Sequence, residues 1–148
     1  MPLVVRRVKV MDLPVLESLE LETVKRFPSR TRWMETYRQL MEKALAEEPE
    51  GLLVADYEGR AVGGAIARVR GLHPFTGAPQ GRLEALTVAP AWRTQGVAER
   101  LLKEAEAYFK SRGCRVMTTS LPADAGAEGE LFKGSGFKVA GWELERPL

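Results

Sequence analysis

The stretch Leu83-Glu84-Ala85-Leu86-Thr87-Val88-Ala89-Pro90-Ala91-Trp92-Arg93-Thr94-Gln95-Gly96-Val97-Ala98 decides how the rest of the chain is read. Arg82 to Val88 has the composition of a strand, and Ala89-Pro90 closes it. A tight loop follows, and Gly96 opens a helix. The first turn of a helix carries unpaired backbone N–H groups and a partial positive charge, so it attracts phosphate. Gly96 and Ala98 are small enough for a diphosphate to approach those N–H groups. The Gly-Lys-Ser/Thr of a P-loop is missing, and so is the Gly-x-Gly-x-x-Gly of a dinucleotide fold. The physics therefore gives an anion-binding strand-to-helix turn whose signature fits neither ATP nor NAD.

Outward from this turn, Val97, Ala98, Leu101, Leu102, Ala105 and Phe109 mark one face of a strong amphipathic helix, with Gly113 as its C-cap. Val116 to Leu121 reads as the next strand, Gly126 to Lys133 as a short helix, and Phe137 to Leu144 as one or two closing strands. On the N-terminal side, Leu52 to Tyr57 and Ala61 to Val69 form a hairpin pattern around Glu58-Gly59-Arg60. Gly71 to Gly81 is rich in Gly and Pro and reads as a long loop. Val4 to Val8 reads as a first strand. Asp12 is taken as the N-cap of a helix through Leu13, Leu16, Leu19, Leu21 and Val24. After a break at Phe27-Pro28-Ser29-Arg30, a second helix runs from Thr31 to Glu47 with Trp33, Tyr37, Leu40, Met41 and Leu45 on one stripe. The order predicts an α/β (α+β) chain: a mixed sheet, mostly antiparallel, flanked by helices, with a right-handed β-α-β unit at its centre. No repeat or linker divides residues 1–148, so one domain is expected.

One cysteine and one histidine exclude an internal disulfide and a Cys/His zinc site. No metal is expected. No apolar run reaches the roughly 20 residues of a membrane span, and MPLVVRRVKV lacks the apolar core of a signal peptide. A cytoplasmic location without a membrane partner is the default expectation. Asn is absent, which fits a heat-adapted (thermophile) source or a high-GC codon bias. The net charge of +2 hides a basic middle. Between Gly59 and Arg115 lie Arg60, Arg68, Arg70, Arg82, Arg93, Arg100, Lys103, Lys110, Arg112 and Arg115, against Glu84, Glu99, Glu104 and Glu106. Such a field suits a small polyanion. A nucleic-acid partner is not expected, because aromatic and basic residues are not interleaved.

Taken together, Val88-Ala89-Pro90-Ala91-Trp92 followed by Arg93-x-x-Gly96-x-Ala98 resembles the GNAT N-acetyltransferases. That family carries Arg/Gln-x-x-Gly-x-Gly/Ala after a hydrophobic strand. Leu131-Phe132-Lys133-Gly134-Ser135-Gly136-Phe137 resembles the family's Tyr-x-x-x-Gly-Phe element. The resemblance implies acetyl-CoA as cosubstrate and a primary amine as acceptor, attacking directly in a ternary complex. It assigns the backbone of Leu86, Thr87 and Val88 to the pantetheine arm. It assigns Arg93, Thr94, Gln95, Gly96, Val97 and Ala98 to the diphosphate, and places Phe132 against the cosubstrate. Glu84 matches the position where related enzymes often keep a Glu that takes the amine's proton, and an amine near its ordinary pKa needs such a base. Alternation puts Glu84, Leu86 and Val88 on one face, and the competing reading of Glu84 is an exposed strand residue paired with an Arg such as Arg82 or Arg68.

The chain departs from the family at Phe132, where a Tyr often protonates the leaving thiolate. Thr119, Ser120 or Ser135 are the hydroxyls that could substitute. The family's frequent Asn before this helix is missing too, and Asp124 lies nearby. These departures motivate an alternative: an acyl-CoA-binding sensor module without turnover. His73 reads as a solvated loop residue and Cys114 as a buried structural thiol. Phe27, Trp33 and Tyr37 are read either as core or as the lining of an acceptor pocket. A homodimer is compatible with the sequence, since dimers are common in the family, but no exposed stripe requires one.

Overall fold

The structure, a computed structural model, describes residues 2–24, 30–121 and 127–148. Phe27 and Asp124 lie outside the described residues. Five strands form one sheet in the order β1 (Leu3–Arg7), β2 (Leu52–Tyr57), β3 (Arg60–Leu72), β4 (Pro79–Val88) and β5 (Val116–Thr118). The first four pair antiparallel, and β5 runs parallel to β4. A parallel neighbour requires a crossover, which is helix α3 (Val97–Ser111). Helices α1 (Leu13–Val24) and α2 (Arg30–Glu47) precede β2, and α4 (Ala127–Gly134) follows β5. The expected α+β architecture is therefore present.

The continuous apolar runs of β2 and β3 follow from burial on both faces. Leu52, Val54 and Ile66 pack with Leu16, Tyr37, Met41 and Ala44 of α1 and α2. Leu53, Ala65, Ala67 and Leu83 pack on the opposite face with Val97, Leu101, Ala105 and Phe109 of α3, joined by Phe132 of α4. The glycine pair Gly63-Gly64 brings both layers close at the end of the sheet where β4 finishes. A Cβ on Gly63 would lie 2.8 Å from the Thr87 carbonyl and 3.0 Å from Val97, and one on Gly64 would lie 2.7 Å from Leu16.

Several expected boundaries shift. The loop assigned to Gly71–Gly81 shrinks to a turn, because β3 extends through Leu72 and β4 begins at Pro79. His73 organises that turn: its Nδ1 accepts from the backbone N–H groups of Phe75 and Thr76 at 3.2 and 3.3 Å. Asp12 directly precedes α1, but the bonds its carboxylate makes are to residues before it. It ends a 3-10 turn (Val10–Asp12), accepts from the Lys9 N–H at 2.7 Å and pairs with Arg6 at 2.9 Å. Phe137 to Leu144 forms no strand. Val139, Trp142 and Leu144 are exposed there, so the alternation of that segment is not used by the sheet. Cys114 is buried, and burial raises its thiol pKa, which keeps it inert.

Candidate active site

The site lies where β4 and β5 part. Their pairing ends at Arg82 opposite Thr118. The Thr119 hydroxyl then donates to the Leu83 carbonyl at 3.0 Å, and beyond it β4 continues to Val88 with no strand beside it on that side among the described residues. The other edge stays bonded to β3. The Ala89 N–H donates to the Val62 carbonyl at 2.8 Å. Antiparallel alternation therefore turns the backbone groups of Thr87 toward Gly64 and those of Leu86 and Val88 away from β3. Of the three residues assigned to the pantetheine arm, Leu86 and Val88 present backbone groups with no strand partner among the described residues. Thr87 instead holds the strand in place.

Glu84 sits in a β-bulge. Ile66 pairs with Ala85 and Ala67 with Leu83, which leaves Glu84 as the extra residue of β4. A bulge breaks the two-residue period, so Glu84 does not share one continuous face with Leu86 and Val88. Its ion-pair partner is Arg70, not Arg82 or Arg68. The side chain is only 8% exposed. Among the described residues its Oε2 is buried and has no hydrogen-bond partner. Buried carboxylate oxygens are seldom left so, and an orphan of this kind calls for an explanation.

After Val88, a 3-10 turn (Pro90–Trp92) leads into α3. The amides of Arg93 and Gln95 donate to the carbonyls of Pro90 and Trp92 at 3.5 and 3.1 Å. They shape the loop and are not free for a ligand. Gly96 is left-handed at φ 78°, a conformation that costs any L-residue with a Cβ, and its carbonyl accepts the first helical bond from Arg100 at 3.1 Å. The N–H groups of Val97 and Ala98 lie in the first turn, where the helix itself supplies no partner. Open space surrounds Gly96: a Cβ built there meets only Glu99, at 3.9 Å. The side chains of Arg93, Thr94 and Gln95 are exposed. A free strand edge leading to an open helix N-terminus fits an extended, diphosphate-bearing molecule such as acetyl-CoA.

Other sequence candidates fall into place around this axis. Phe132 is 5% exposed and packs edge-to-face on Phe137 at 5.0 Å, as part of the core. Ser120 accepts from Arg82 at 2.7 Å at the parting of the strands, whereas Ser135 is exposed beyond α4. The basic middle is only partly available to an anion. Arg68 is held by Glu47 and Glu48, Arg70 by Glu84 and Lys110 by Glu106. Arg93 and Arg100 remain exposed at the loop. A cavity of about 350 Å³, lined by Arg6, Arg7, Glu50, Glu104 and Tyr108 among others, lies toward the C-terminal half of α3, away from this site.

Sequence reasoning missed Glu20. It is 6% exposed, accepts from Thr87 Oγ1 at 2.7 Å and from Trp33 Nε1 at 2.7 Å, and its carboxyl is raised above the ordinary range by burial, against the pull of those two hydrogen bonds. The signal was present: Leu16, Glu20 and Val24 form the buried stripe of α1, with a carboxylate in the middle of it.

The sequence profile of the Acetyltransferase (GNAT) family matches residues 15–137, and the chain belongs to that family of acetyl-CoA-dependent acetyltransferases. Its fold is shared with aminoglycoside N-acetyltransferase AAC(6')-Iy in complex with CoA (TM-score 0.79, 20% identity, 99% of this chain and 94% of that one). It is similar to a transcriptional regulator from Bacillus halodurans C-125 (TM-score 0.80, 18% identity, 99% of both chains). It is also similar to ribosomal-protein-alanine N-acetyltransferase from Brucella melitensis biovar Abortus 2308 (TM-score 0.74, 15% identity, 99% of both chains). No curated protein matches the sequence. Among the described residues no helix is long and apolar enough to cross a membrane.

Proposed function

We propose that this protein moves the acetyl group of acetyl-CoA to a primary amine, on a small molecule, an amino acid or a peptide N-terminus, by direct attack in a ternary complex. The observation that carries this reading is the buried, unpartnered Oε2 of Glu84 beside the free edge of β4. Acetyl-CoA supplies an activated thioester. The chain supplies alignment and a proton acceptor. The backbone groups of Leu86 and Val88 hold the pantetheine amides as an added strand. The first-turn amides of Val97 and Ala98 hold the diphosphate, with Gly96 providing the approach and the Arg93, Thr94 and Gln95 side chains flanking it. Phe132 backs the site as part of its apolar wall. Arg70 orients the Glu84 carboxylate through Oε1, which leaves Oε2 to accept a proton from the ammonium, directly or through water.

Phe132 has no proton to give the departing thiolate. Thiols ionise near pH 8.5, so departure without a general acid is chemically acceptable. Ser120 and Thr119 both stand where the strands part and are the candidates among the hydroxyls named above. The alternative is a sensor that binds acyl-CoA without turnover. The enzyme reading is favoured because a binding module has no use for a half-satisfied buried carboxylate. Purified protein with acetyl-CoA and a broad panel of amines should release free thiol, and Glu84→Gln should suppress the release. Binding of acetyl-CoA without thiol release from any amine would support the sensor instead.

A further inference from the structure

Glu20 takes no part in the chemistry above, yet it joins three elements. Its two oxygens accept from Thr87 of β4 and Trp33 of α2 while its own backbone belongs to α1. Among the described residues no Lys or Arg pairs with Glu20. Leu16 and Val24, one turn to either side, fill the same layer with apolar atoms. A buried carboxylate without a cation costs stability that another leucine would not cost, so the fold alone does not explain its presence.

Its location does. Thr87 lies between Leu86 and Val88, the residues whose backbone groups form the open edge of β4. The backbone of Thr87 faces Gly64. Its hydroxyl is fully buried and fixes the strand against the helical layer. On the other side of Glu20, Trp33 and Tyr37 stand on the first turns of α2, next to the α1–α2 junction. One carboxylate thus spans the space between the open edge and the helical hairpin that covers the sheet.

We propose that Glu20 is a positioning residue: through Thr87 it sets the placement of Leu86 and Val88 for the cosubstrate, and through Trp33 it couples that edge to the α1–α2 hairpin. This rests on the assignment of the pantetheine arm to β4. No bond forms or breaks at Glu20.

The test is a calorimetric titration of the full chain with acetyl-CoA, well below each variant's melting temperature. Glu20→Leu removes both acceptors and strands the Thr87 hydroxyl and the Trp33 N–H. Glu20→Gln keeps one acceptor oxygen. Glu48→Gln disrupts an equally buried carboxylate at the far end of α2 and serves as the structural control. Affinity should fall by about three- to tenfold in Glu20→Leu, the range that one lost hydrogen bond supports. Glu20→Gln should recover part of it, and Glu48→Gln should bind like the parent despite its lower melting temperature. Parent affinity in both Glu20 variants, however far their melting temperatures drop, would overturn the proposal and leave the β4 assignment standing. A parent protein that does not bind acetyl-CoA would overturn both. If Glu20→Leu does not fold, Glu20→Gln against Glu48→Gln decides.

Discussion

Helix α2 meets a buried carboxylate at each end, and the two are treated in opposite ways. At its C-terminal end Glu48 is 8% exposed. It accepts from Arg68 Nε at 3.0 Å, from the Val69 N–H at 2.8 Å and from the Tyr108 hydroxyl. Arg68 is itself buried and also held by Glu47. Charge and hydrogen-bonding capacity are both satisfied there. At the N-terminal end Glu20 is 6% exposed, has two neutral donors and no cation among the described residues. The compensated carboxylate is bonded to β3 and α3, and the uncompensated one to Thr87 of β4. Glu84, in the bulge, is intermediate, with one oxygen on Arg70 and one unpartnered. The three carboxylates thus grade from fully compensated to uncompensated, with Glu84 on β4 close to the register of Arg68, whose charge it also feels.

This contrast can be broken in several ways. The largest effect is expected at Glu84. Glu84→Gln should lower the rate of amine acetylation by about 10²- to 10⁴-fold, the usual contribution of a positioned base, as read by thiol release. Next, Glu48→Gln should cost about 3 kcal/mol of stability in urea denaturation, because removing one partner leaves Arg68 buried and underpaired. A change much below 1 kcal/mol would erase the distinction between the two ends. Third, Gly96→Ala should cost about 1–2 kcal/mol, since alanine must adopt the left-handed conformation that glycine holds freely. Equal stability of that variant and the parent would show that the loop relaxes out of this conformation.

The smallest effect is the pH dependence, and its sign separates Glu20 from an ion-paired acid. Asp12 is held below its ordinary 3.8 by hydrogen bonding to Arg6. Its stabilisation is present above that value and is lost as pH falls through the folded value. Glu20 is pushed above its ordinary 4.5 by burial. Its favourable contribution is present below 4.5 and is lost as pH rises through the folded value. Glu20→Gln should therefore gain stability relative to the parent as pH rises above 4.5, measured by urea denaturation at a series of pH values. A constant difference would mean that Glu20 titrates alike in folded and unfolded chains.

Much of this was legible in the residues. The strand, loop and helix around Gly96 carried local signals that tertiary context did not change: a Pro after the strand, a Gly at a left-handed position, and a stripe from Val97 to Phe109 that became the buried face of α3. Glu84 was legible as an acid but not in its geometry, because a bulge is a property of two paired strands and the period of one strand does not encode it. Its pairing with Arg70 follows from that shift. Phe137 to Leu144 has the apolar content of a strand but finds no edge in this structure, since content alone does not supply a neighbour. Glu20 was hidden for another reason. A glutamate on a helix reads as solvated, and only its place between Leu16 and Val24 showed that it faces inward.

In this reading the open edge of β4 and the N-terminus of α3 form one cosubstrate site. The most direct measurement is a calorimetric titration with acetyl-CoA of the parent beside Gly96→Glu, which puts a carboxylate and added bulk where the diphosphate is assigned. Saturable one-to-one binding that disappears in a variant still folded by circular dichroism is the expected result. No binding by the parent, or binding that the substitution leaves intact, would contradict the claim and reduce the loop to the start of a helix.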